Sequence, residues 1–105
     1  MQLLNIDYIP GKKFEALGLV KGNVVQSKNL GKDFMAGMKT IVGGEISSYT
    51  EMLNQARQIA VKRMVDEAEA LEADAVVNVR YASASVMQGA AEVIAYGTAV
   101  RFVEE

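Results

Sequence analysis

The amino-acid sequence predicts one α+β domain over residues 1–105, of order β-α-α-β-β, with a three-stranded antiparallel sheet in the order 1-3-2 backed by one long helix. Three observations carry this. A run from Phe14 to Gln26 alternates with the two-residue period of a strand, Leu53 to Leu71 repeats apolar residues at helical spacing, and two valine-rich segments flank Gln88-Gly89.

The segment from Leu3 to Ile9 is apolar and β-compatible, and it stops at Pro10-Gly11, where φ is first fixed and then freed. In the following strand Phe14, Ala16, Gly18, Val20, Gly22 and Val24 share one face by period. Glycine inside a strand marks a bulge, a bend or a close backbone approach, so Gly18 and Gly22 predict a curved strand or a tight contact. Phe34, Met35, Met38, Ile41 and Val42 predict a short helix over 33–42, with Gly43-Gly44 as its left-handed stop. Ser48-Tyr49-Thr50-Glu51 has the form of a capping box and predicts that a long helix begins there. Its apolar stripe is Leu53, Ala56, Ala60, Met64, Ala68 and Leu71, and the opposite side is Gln55, Gln58, Lys62, Asp66 and Glu69.

That helix, over 50–72, would be about 35 Å long at 1.5 Å per residue. Asp66, Glu67, Glu69, Glu72 and Asp74 crowd its C-terminal third, where the macrodipole favours cations, so packing must outweigh a penalty. The chain closes on strands at 75–86 and 92–103 with a hairpin at Gln88-Gly89. Strict alternation puts Val77, Val79 and Tyr81 on one face of the first and Val76, Asn78, Arg80, Ala82 and Ala84 on the other. Val76, Ala82, Ala84, Val93, Ala95, Ala99 and Val103 are then expected to form an apolar patch that seeks a partner.

Half the residues are hydrophobic, but no apolar run approaches the roughly 20 residues that cross a bilayer, and the N-terminal residues lack a basic, then apolar, secretory pattern. The absence of cysteine fits a reducing compartment, and the expected location is the cytoplasm. A net charge of −2 does not offer the basic footprint of a nucleic-acid or anionic-membrane binder. The charge is uneven: residues 1–44 carry +3 and residues 45–105 carry −5. Unlike surfaces of that kind suit head-to-tail contacts between copies.

Histidine is absent along with cysteine, which removes imidazole acid–base chemistry, thiolate nucleophiles and their triads from a single chain. No catalytic residue, metal ligand or cofactor is assigned. Asp66, Glu69 and Glu72 stand three apart and read as a solvated face, because no loop carbonyls or turn glycine complete a calcium site. Methionines at helical spacing read as core. The ligand-binding candidates are Gly43, Gly44 and Glu45, a glycine-rich turn ahead of a helix; Tyr49, a ring for stacking; and Arg80, a cation on an apolar strand that needs a carboxylate or polar interface.

Val42-Gly43-Gly44-Glu45, then Ser48-Tyr49-Thr50-Glu51, Ala56-Arg57 and Ala73-Asp74-Ala75-Val76-Val77-Asn78-Val79-Arg80 resemble the YbjQ-type family of bacterial proteins, in order and spacing from about Asn23 to Val103. The resemblance implies a dodecin-like β-α-β-β subunit and a homopentameric ring, with a heavy-metal-binding label and no settled role. Glu72 stands where such relatives commonly have glycine, and a left-handed non-glycine residue there would cost on the order of 1 kcal/mol. Soft metals want thiolate or imidazole, so the metal label is not carried over. The expected function is a ring-forming homo-oligomer that is structural or binds an unidentified small molecule and is not an enzyme. The alternatives are metal binding through carboxylates and a small enzyme with sites between subunits.

Overall fold

The computed structural model describes residues 1–27 and 44–104. Its elements are β1 (Gln2–Leu3), β2 (Lys13–Ser27), α1 (Gly44–Ala70), β3 (Ala75–Met87) and β4 (Ala90–Val103). They form one four-stranded sheet in the order β1-β3-β4-β2. The three long strands keep the expected order and are antiparallel, with β4 in the centre. The fourth strand differs from expectation: Gln2 and Leu3 pair in parallel with Ala75 and Val76. Only two residues of the Leu3–Ile9 segment join the sheet. The rest bonds to β3 irregularly, through Leu4 N–H to the Val76 carbonyl and Asn78 N–H to the Ile6 carbonyl. The short helix expected over 33–42 lies outside the described residues.

Helix α1 begins four residues before the expected Ser48, so Ser48 and Glu51 sit inside the helix and cap nothing at its start. Once residues 44–47 are helical, their carbonyls take the amides that a Ser48 hydroxyl would have received, and the local capping signal loses to propagation. Gly44 is correspondingly the first helical residue and not a helix stop. No helix among the described residues is long and apolar enough to cross a membrane.

The helix packs on β2 and β4. Its buried stripe, Ala56, Ala60, Met64 and Ala68, meets Val20 and Val24 of β2, Val93, Ala95 and Ala99 of β4, and Val76 of β3, and Met52 is buried one turn before it. Five of these helix and strand positions are alanine, which lets the layers come close. Closest of all is Gly22: a Cβ there would overlap the Ala60 carbonyl oxygen and the Met64 amide nitrogen and stand 2.6 Å from Arg63 Cβ. This is the tight contact that glycine at that position predicts. The apolar patch expected to seek a partner is thereby corrected, because Val76, Val93, Ala95 and Ala99 lie beneath α1 at 0–1% exposure.

Two bulges overturn the strict alternation. The β2–β4 register shifts between Ala16 and Gly18, where Gly18 takes φ +140°, and the β3–β4 register shifts between Val77 and Arg80, where Asn78 takes φ +55°. One extra residue moves every later side chain to the other face. Phe14 and Ala16 therefore pair with Phe102 and Val100 on the face opposite α1, whereas Val20 and Val24 point at the helix. Tyr81 pairs with Ala95 and joins the face of Val76, not that of Val77. On the face away from α1, Ile9, Ala75, Val77 and Val100 form a second core cluster with Leu4, Phe14 and Phe102 against it.

The helix ends in a Schellman motif: Ala73 N–H bonds the Ala68 carbonyl at 3.0 Å and Glu72 N–H bonds that of Glu69 at 2.9 Å. Glu72 is the left-handed residue, with φ +60°. Replacing it with glycine removes the Cβ clash, and Glu72→Gly is expected to stabilise the chain by about 1 kcal/mol, read as a raised midpoint in urea unfolding. Gly22→Ala, by contrast, is expected to cost about 2 kcal/mol or more, because helix backbone and the Arg63 Cβ, neither of which can swing aside, stand in the way of the new methyl. An unchanged midpoint would contradict the close approach.

Candidate functional site

The polar flank of α1 meets an exposed stretch of β3. Helix residues Asn54, Arg57, Gln58, Val61 and Lys62 fall on neighbouring positions of two turns. Because α1 sits over β2 and β4, this flank looks onto the distal half of β3, where the bulge at Asn78 has turned Tyr81 to the helix side. The six side chains line an open groove of about 530 Å³. Arg57 Nη2 donates to Asn54 Oδ1, which orients the guanidinium. Lys62 Nζ lies 3.0 Å from Asp66 Oδ2 one turn on. Both partners are exposed, and such a pair contributes under about 1 kcal/mol. Lys62 is therefore free to swing toward a ligand. The groove offers two cations, two amides and an aromatic wall. Charge, hydrogen bonding and ring stacking are what these side chains offer a small polar ligand.

The residues predicted from sequence are not gathered at one place. Gly43 lies outside the described residues. Gly44 and Glu45 open α1, and Tyr49 is half-buried on its second turn. Arg80 stands on β3, where Nη1 donates to the Asn5 carbonyl at 2.8 Å and to that of Val79 at 3.2 Å. The expected carboxylate partner is replaced by backbone carbonyls, and the guanidinium pins the N-terminal segment to β3. Of the groove residues only Tyr81 draws notice in the sequence, as one of several strand aromatics that read as packing. Gln58 and Lys62 read as an ordinary solvated flank, and the turn of Tyr81 toward them depends on a bulge that strict alternation hides.

The acidic end of the helix is also taken up structurally. Glu67 Oε1 accepts from Lys21 N–H at 2.9 Å, and Asp74 Oδ2 accepts from Phe102 N–H at 2.8 Å. Arg101 of β4 supplies the cation that the last turn lacks, donating through Nη2 to the Leu71 carbonyl at 3.1 Å.

A family profile for YbjQ, described as "Putative heavy-metal-binding", matches residues 1–103. The chain belongs to the YbjQ family. A UPF0145 protein from Clostridium novyi is 60% identical over 103 residues, covering 98% of this chain and all of that one. Another from Alkaliphilus metalliredigens is 58% identical over the same length and coverage. A solved structure of a protein of unknown function of the DUF74 family, from Pediococcus pentosaceus, covers 98% of both chains at 14% identity with a TM-score of 0.63, which shows a shared fold.

The metal in the YbjQ description can be tested against the donors present. Heavy, soft ions select thiolate and imidazole, and this member has neither. Among the described residues no three carboxylates converge on one point. The residues do not fit a soft metal. Titration calorimetry with zinc, cadmium or copper ions is expected to show no submicromolar site, and one tight site per chain would overturn this reading.

Proposed function

We infer that this chain is a non-enzymatic subunit of a closed homo-oligomer, dodecin-like in its subunit and most simply a pentameric ring, whose inter-subunit surfaces hold a small polar ligand. The observation that carries it is shape. The radius of gyration is 17.0 Å, with extents of 58 × 22 × 19 Å, against about 13 Å for a compact domain of this length. A single helix cannot cover so long a sheet on both faces. At one end the sheet is buried on both sides, by α1 and by the cluster around Ile9 and Val100. At the other end Val25, Val86 and Met87 stay exposed, Met87 at 67%. Large apolar side chains left out along one end of a sheet favour coverage by another copy.

The ring number follows from the YbjQ resemblance, and the ligand from the groove of Arg57, Lys62 and Tyr81. A cation-lined groove with an aromatic wall suits a small molecule bearing an anionic group beside a flat ring. Catalysis finds no support in a chain without histidine or cysteine. Light scattering at low micromolar concentration is expected to give about five times the 11.4 kDa chain mass. A species of 11.4 kDa that persists on dilution would overturn the assembly.

A further inference from the structure

The sheet has two outer edges, and they are protected unequally. On the β3 side, Ala75 and Val76 are covered by β1, and Asn78 and Val79 donate to the Ile6 and Leu4 carbonyls. From Tyr81 to Met87 no described residue pairs with that edge. The stretch Tyr81-Ala82-Ser83-Ala84-Ser85-Val86-Met87 is exposed throughout and contains no charge, no proline and no glycine. It carries none of the devices that blunt an edge except the small bulge next to Val86.

On the β2 side, two side chains of α1 reach over the middle of the strand. Glu67 accepts from Lys21 N–H, and Arg63 Nη1 donates to the Asn23 carbonyl at 2.7 Å. That part of the edge is closed. The stretch from Lys13 to Leu19 has no such cover among the described residues, and it is also seven residues long.

We propose that these two stretches pair with each other between copies, the Tyr81–Met87 edge of one chain receiving the Lys13–Leu19 edge of the next. This rests on the assembly reading above and names its contact. Direction follows from the sheet, and laying the two seven-residue stretches end to end sets the register. β2 and β3 are each antiparallel to β4 and so run the same way. In a closed ring of such units the new pair is parallel, with Ala16 beside Ala84. In that register the faces agree: Ala16 pairs with Val100 and Ala84 with Glu92, both away from α1, while Glu15 and Ser83 lie on the helix side. A slip of one residue would reverse every side chain. Pairing like with like is worse on both sides. Two β3 edges would leave every β2 edge open, and two β2 edges would leave every β3 edge open. The unlike pairing uses both edges of each copy, and it makes a ring when the rotation between copies closes.

The chain contains no cysteine, so introduced thiols are unique. Ala16→Cys and Ala84→Cys both fall on exposed alanines. With a short bis-maleimide, co-expressed single variants are expected to yield a cross-linked dimer, and the double variant a ladder rising to the full ring. Neither single variant alone should cross-link. Dimers from Ala84→Cys alone would overturn the proposal in favour of like-with-like pairing. Absence of any cross-link in protein that light scattering shows to be oligomeric would refute this contact and leave the assembly reading standing, whereas a monomer would end both.

Discussion

At Gly22 the backbone of α1 comes so near β2 that the space for a single methyl is already taken by the Ala60 carbonyl and the Met64 amide. Much else depends on that approach. It is possible only because the strand has no Cβ there and the facing helix positions 56, 60 and 68 are alanine. It fixes the helix laterally over β2 and β4, and it sets which side chains flank the contact. Arg63 and Glu67, to either side of Met64, then reach past the strand and close the main-chain groups of Asn23 and Lys21. The same placement leaves the distal half of β3 without a roof. Inequality between the two sheet edges is thus a consequence of one glycine contact.

The helix C-terminus shows how a local electrostatic fault is offset from elsewhere in the chain. Read along the sequence, five carboxylates near the negative end of a dipole are unfavourable. In three dimensions Glu67 serves the β2 edge, Asp74 accepts the Phe102 amide, and Arg101 reaches from β4 to the last helical carbonyls. Glu72 retains the cost of its left-handed conformation. Its carboxylate, 3.9 Å from Arg101 and almost fully exposed, recovers little of it.

The long strands, their order, the hairpin at Gln88-Gly89 and the tight contact at Gly22 were all legible in the sequence, because each is a local pattern or a glycine with one physical use, whereas the left-handed Glu72 was implied by the family resemblance. The faces of the strands were not. Period-two reading assumes that no residue is inserted, and the insertions at Gly18 and Asn78 reverse the alternation beyond them. Gly18 gave notice of itself as a glycine in a strand. Asn78 gave less, since its positive φ is held by a bond from its amide to Ile6, more than seventy residues away. The helix start was misplaced for a related reason: a capping box is a local preference of about 1 kcal/mol, and it yields when the chain before it is already helical. The candidate site suffered most, because the groove at Tyr81 exists only once the Asn78 bulge has turned that ring toward α1.

The bulges also divide the sheet into two physical regimes. On the near side of Gly18 and Asn78, Phe14 and Val77 point away from the helix and bury themselves with Ile9, Val100 and Phe102 under the N-terminal segment. That end has three layers and is complete within one chain. Beyond the bulges the same strands show α1 their Val20, Val24 and Ala95, and the opposite face carries Lys21, Asn23, Tyr96 and Arg80. Nothing in the described chain folds back over it. A uniform strand would have had to be buried on both faces along its whole length or along none of it. By reversing the pattern once on each flanking strand, the sequence confines its self-sufficient core to one end and leaves the other with one packed face and one open edge. The exposed Tyr81–Met87 edge belongs to that second half.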